Sequence, residues 1–134
     1  MSYDKPNRQK YAFQYDAGNN GNEAWYVKGP KGKAGRLIDY GVEGITEAFT
    51  ADAQISVGTA SDVDAYGNEI AVAAQAIDTV LSLRTLYNPI ADAAAFNALL
   101  LEPVLPKDTY VVLNLVDDST TGIGTFFMII DWAD

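Results

Sequence analysis

Cysteine and histidine are both absent from this 134-residue chain. Without cysteine there is no disulfide framework and no thiolate-ligated metal. Without histidine the chain lacks the side chain most used for proton transfer near neutral pH, which is also the commonest metal ligand. A Ser-His-Asp triad is therefore excluded, and no Gly-x-Ser-x-Gly sequence offers a nucleophile elbow. Long apolar runs are missing too, so no stretch reaches the length of a membrane-spanning helix. Met1 to Lys10 is polar and lacks the apolar core of a secretory signal, which predicts synthesis and folding in a cytoplasm. These absences point away from an enzyme and predict neither cofactor nor metal. About half of the residues are apolar, enough for the core of one domain of this length.

Positive charge is scarce and unevenly placed. The chain carries nine basic against eighteen acidic residues, a net charge of −9. Seven of the bases (Lys5, Arg8, Lys10, Lys28, Lys31, Lys33 and Arg36) lie in residues 1–36 against three acids, a net +4. Residues 37–134 hold two bases against fifteen acids, a net −13. Such a body repels nucleic acid, and no aromatic-basic platform accompanies the basic segment. A basic edge meeting an acidic partner surface fits better, whether the partner is another copy or a different protein.

The basic segment Lys28-Gly29-Pro30-Lys31-Gly32-Lys33-Ala34-Gly35-Arg36 places four bases and three glycines in nine positions. A phosphate-cradling loop needs Ser or Thr after Gly-Lys and a helix next. Here Ala34 follows Lys33, and Leu37 to Phe49 alternates like a strand. A collagen period fits three triplets and then stops at Arg36. What remains is a tight connection between strands with positive charge at its tip.

Residues 1–8 read as a flexible arm, and residues 9–134 as one mainly β domain. Tyr11, Phe13 and Tyr15 alternate with Ala12, Gln14 and Asp16, the period-two signature of a half-buried strand. Ala24 to Lys28 is a second strand, with Trp25 and Val27 on one side and Tyr26 on the other. Gly41 and Gly44 within the next strand suggest a bulge or close approach of a neighbouring backbone. Ile55 and Val57 mark another strand, closed by Gly58. Ile70 to Leu81 fits helical spacing, but Leu81, Leu83 and Thr85 also alternate, and a strand near 79–86 is expected. Asp92 ahead of the alanine-rich run to Leu100 predicts one short N-capped helix near 92–101, stopped by Pro103. Pro103 and Pro106 bracket a turn. Tyr110 to Val116 and Ile123 to Trp132 then read as a hairpin closed by the polar loop 117–122. In that register Leu113 faces Phe126, Val111 faces Met128, Val112 faces Phe127 and Tyr110 faces Ile129. Both faces are apolar, which nominates Tyr110, Val112, Phe127 and Ile129 as a subunit interface.

Other constellations are thin. Asp62-Val63-Asp64-Ala65-Tyr66-Gly67 begins like a calcium loop, but Tyr66 and Ala73 stand where further ligands belong, so a turn is expected. Asp39 and Glu43 read as the solvated side of a strand. Trp25 and the tyrosines offer a sugar-stacking platform in principle, although core or interface roles account for them as well.

The run Trp25 to Arg36 leading into a strand, Ile55 to Asp62 closing another, Leu105-Pro106-Lys107-Asp108-Thr109 opening a third and the finish Ile129-Ile130-Asp131-Trp132 resemble the small capsid decoration, or cement, proteins of tailed bacteriophages. The likeness touches most of the chain outside residues 68–102. It implies an antiparallel β-sandwich of jelly-roll type that assembles as a homotrimer on the capsid exterior. It implies binding to the major capsid protein at junctions between its subunits, stabilising the shell. The N-terminal arm and the 28–36 loop would make the shell contact, through Lys5, Arg8, Lys10, Lys28, Lys31, Lys33 and Arg36. A phage tail, baseplate or fibre component and a carbohydrate-binding β-sandwich module are the alternatives.

Overall fold

Alternation along the strands determines where the core forms. The computed structural model describes residues 7–16, 22–49, 53–72, 77–87, 91, 93–100, 104–116 and 121–133. Two antiparallel sheets pack face to face. In the first, β1 (Asn7–Asp16), β9 (Ile123–Ala133), β3 (Ala34–Glu47) and β6 (Leu81–Ser82) lie side by side in that order, and the two-residue β7 (Val104–Leu105) also pairs with β3. The second runs β2 (Glu23–Lys28), β8 (Tyr110–Val116), β4 (Gln54–Gly58), β5 (Gly67–Ala71). The pairs β1–β9, β2–β8, β3–β6 and β4–β5 are nested, as if one long hairpin had been wrapped around a barrel axis. That order is the double Greek key of a jelly roll.

Inward positions fill the space between the sheets. From the first sheet come Tyr15, Leu37, Tyr40, Val42, Phe126, Met128, Ile130 and Trp132; from the second, Val27, Ile55, Val57, Ile70, Val111, Leu113 and Leu115. Each buried large side chain contributes about 1.5–3 kcal/mol through removal from water. Aromatic rings close one end: Phe13 stacks on Trp25 at 5.3 Å, and Phe49 meets Phe126 edge-on at 5.2 Å. Tyr40 spans the sandwich and donates its hydroxyl to the Asn68 carbonyl at 2.6 Å.

The two glycines of β3 act differently. A Cβ on Gly41 would lie 2.1 Å from the Leu81 carbonyl oxygen, so its lack of a side chain lets β6 approach. Gly44 takes φ 59° where the register of β3 on β9 shifts between Glu43 and Glu47.

Several expectations are corrected. Tyr110–Val116 and Ile123–Ala133 form no hairpin: β8 pairs with β2 and β4, while β9 pairs with β1 and β3. The residues expected to pair across it instead face each other over the core or lie on opposite outer surfaces. Both strands read as doubly apolar because each is interior to its own sheet, with one face in the core and part of the other covered locally. Val112 is flanked by Tyr26 and Gly58, and the turn after β4 folds against Gly58. Phe127 lies beneath the Lys10 ammonium, 4.8 Å from the ring centre.

The strand expected near 79–86 is two residues long and gives way to the helical turn α1 (Leu83–Leu86). Ser82 caps that turn, its hydroxyl accepting from Thr85 N–H while Thr85 returns a bond to Ser82 N–H. The predicted helix near 92–101 is α2 (Ala93–Leu99), so the described residues hold two short helices rather than one; the expected cap Asp92 lies outside them. Ile70 sits in β5, not at the start of a helix. Asn7 and Arg8, read as arm, belong to β1, and residues 1–6 lie outside the described set, as does 117–120.

Candidate functional site

The connection from β2 to β3 crosses from one sheet to the other at one end of the sandwich. Its glycines have three distinct jobs. Lys33 N–H donates to the Pro30 carbonyl at 3.1 Å, closing a turn in which Gly32 takes φ 76°. Gly32 N–H then donates to Asp108 Oδ1 at 2.9 Å, tying the turn to the loop before β8. Gly29 and Gly35 both lie on the indole of Trp132, with no room for a Cβ on either. The bases are left outside: Lys28, Lys31 and Arg36 are exposed and Lys33 is half-buried.

Strand directions decide which charges meet. The start of β1, the 29–33 turn, the Lys107–Asp108 turn and the end of β9 all lie at the same end. Arg8, Lys28, Lys31, Lys33, Arg36 and Lys107 are therefore gathered there, although Lys107 is far away in sequence. The opposite end carries Asp16, Glu23, Glu47 and Asp78, and no Lys or Arg among the described residues. Asp108, Asp131 and the turn carrying Asp62 and Asp64 lie at the basic end too, but the six bases there outnumber them, so the two ends differ in charge.

Not every predicted contact residue is equally available. Lys5 lies outside the described residues. Arg8 grips Asp131 with two bonds, 2.7 and 2.9 Å, and this pairing holds the Asp131 carboxyl below the usual carboxylate range, with Arg36 and Arg84 adding to it. Lys10 pairs with Glu43 at 2.6 Å. Lys28 places its ammonium 5.1 Å from the centre of the Tyr110 ring. The turn residue Lys31 projects from the end, with Lys33 beside it.

The four expected interface residues do not share a face. Tyr110 and Val112 lie on the outer face of the β8 sheet; Phe127 and Ile129 lie on the outer face of the β9 sheet, on the far side of the molecule. Val112 and Phe127 are 2% and 3% exposed, against 55% for Tyr110. The two outer faces differ in chemistry. Around β9 stand Arg8, Lys10, Arg36, Asp39, Glu43 and Asp131. Around β8 stand Ala24, Tyr26, Gln54, Ser56, Asn114 and Val116, with Lys28 as the one charge on those paired outer positions. Tyr26, 53% exposed, meets Tyr110 edge-on at 6.0 Å. The sequence signal for that pair was the outward phase of Tyr26; its partner required the β2–β8 register.

Asp39, expected in solvent, is only 8% exposed. Its Oδ1 accepts from Tyr40 N–H at 3.0 Å and Arg84 N–H at 3.2 Å, because α1 folds over this part of β3. Trp25 is half-buried, its ring stacked against Phe13 and Phe126. Asp62 and Asp64 share a hydrogen bond that pushes the Asp64 pKa up, within a turn organised by Thr59 N–H donating to the Asp62 carbonyl at 2.8 Å. Among the described residues no three His, Cys, Asp or Glu side chains converge on a metal-sized site. The bulge at Gly44 opens a groove of about 490 Å³ lined by Gln14, Asp16, Thr46, Ile123 and Thr125.

No protein-family model matches the chain, and no curated protein matches it significantly.

Proposed function

We propose that this protein is a structural virion component, a capsid decoration or cement protein that binds the outer surface of an assembled phage shell as an oligomer, with the major capsid protein as its partner. The observation that carries this reading is the gathering of Lys28, Lys31, Lys33 and Arg36 at one end of an otherwise acidic jelly roll. The basic end is suited to grip an acidic surface, while the acidic end points away from it. Cementing is mass action. A protein that binds only the assembled shell stabilises it according to affinity and concentration, and an oligomer gains further through effective concentration. Such a role needs shape and charge rather than a reactive side chain.

Lys31→Glu/Lys33→Glu/Arg36→Glu tests the reading by co-sedimentation with expanded phage shells. The wild type is expected in the pellet and the folded triple variant in the supernatant, with wild-type binding weakening as salt rises. Equal pelleting of both proteins would remove the loop from the contact, and a wild type that never pellets would remove the shell.

A further inference from the structure

Arg84 is held in place without being neutralised. Its backbone N–H donates to Asp39 Oδ1 at 3.2 Å and its Nε–H to the Ile38 carbonyl at 2.7 Å. Its guanidinium lies 5.2 Å from the centre of the Phe96 ring. Those contacts fix the head group and leave both terminal amino groups with no acceptor among the described residues. Arg36 stands nearby on β3, two residues before Ile38, exposed and with no ion-pair partner among the described residues. The strand register sets Arg8, Asp131 and Arg36 in one row across the outer face, and only Arg8 forks onto the Asp131 carboxylate. Arg36 and Arg84 both add to the field that holds the Asp131 carboxyl low, yet neither bonds to it.

We infer that Arg84 and Arg36 form a two-guanidinium site for a carboxylate, the side chain of an Asp or Glu on a partner protein. Charge selects that ligand. On this part of the outer face the described residues place Arg8, Lys10, Arg36 and Arg84 against Asp39, Glu43 and Asp131. All three acids are engaged: Asp131 by Arg8, Glu43 by Lys10, and Asp39 by the N–H groups of Tyr40 and Arg84. The surplus is one positive charge, which a single carboxylate neutralises and a phosphate dianion would exceed, in a chain whose total is −9. An exposed ion pair ordinarily gains little, because two long side chains must be ordered to make it. Arg84 is already ordered by Ile38 and Phe96, so that part of the cost is removed. The site deepens the proposed function by naming the chemistry its basic end takes, and only the owner of the carboxylate rests on that reading.

The test uses the protein without any shell. A capped Gly-Glu-Gly peptide is titrated in while the arginine Nε–H signals are followed by NMR, with chloride and inorganic phosphate titrated separately at matched ionic strength. Saturable shifts are expected at Arg84 and Arg36, with smaller ones at Arg8, whose Nε–H is held by Asp131. Chloride is expected to give no saturable shift, and phosphate to bind more weakly than the peptide. Arg84→Gln and Arg36→Gln should each weaken peptide binding about tenfold. Arg84→Lys, which keeps the charge and loses the fork, should weaken it as well. Circular dichroism checks folding, and the exposed strand position Arg36 carries the comparison if a substitution at Arg84 unfolds the chain. A response that chloride reproduces, wild-type affinity in Arg84→Lys or Arg36→Gln, or tighter binding of phosphate overturns the inference. Peptide binding by a protein that never pellets with shells would keep this site and remove the shell.

Discussion

The indole of Trp132 occupies the space that a side chain on Gly29 would need: a Cβ there would stand 2.5 Å from the ring. Gly35 meets the same ring at 2.6 Å. The glycines that give the basic loop its unusual look are thus fitted to a residue near the other end of the chain. Gly29→Ala is expected to destabilise the fold by about 1–3 kcal/mol through overpacking. In a Trp132→Phe background the same substitution should cost less, because the smaller ring leaves room. Urea denaturation of the four proteins in a double-mutant cycle measures that coupling, and additive effects would show that the loop moves freely off the ring.

Burial of Tyr40, and then the neighbouring Asp39 charge, push its phenol pKa above the ordinary value. In the unfolded chain the group ionises at about pH 10. The folded pKa is the higher one, so the stability linked to this proton is fully present below about pH 10 and is lost as pH rises beyond it. Tyr40→Phe should flatten the alkaline arm of a stability–pH curve. At neutral pH it should cost about 1 kcal/mol for the lost hydrogen bond to the Asn68 carbonyl. An unchanged alkaline arm in the variant would assign that loss of stability to other groups.

Asp39→Ala removes the acceptor for two backbone N–H groups, those of Tyr40 and Arg84. The expected loss is about 1–3 kcal/mol, and Asp39→Asn, which keeps a carbonyl oxygen, should lose less. A solvated strand carboxylate would give a change within about 0.5 kcal/mol for either substitution. Thermal or urea unfolding separates the two cases.

The interior of this fold was largely legible from pattern. Tyr11, Phe13 and Tyr15, then Trp25 and Val27, then Ile55 and Val57 each announce a strand and its inward face, because side chains alternate by backbone geometry alone. Gly41 signalled a close backbone approach for the same local reason. Pairing was not legible. Val116 and Ile123 are close in sequence and suggest a hairpin, yet local pattern cannot say which sheet a strand joins, and here the nested wrapping sends β8 and β9 to different sheets. Asp39 looked solvated because its cover, α1, comes from 45 residues further along.

The sequence by itself determined that this is a β-rich domain without cysteine or histidine chemistry, acidic overall and basic near its start, since composition and period-two alternation are properties of the chain. Only the tertiary structure decided that Lys107 joins the bases of the 28–36 loop, that acids hold the opposite end, and that Tyr110 and Phe127 look out from opposite sides. Those are consequences of strand order, and strand order is set by which buried faces fit across the core rather than by any segment alone.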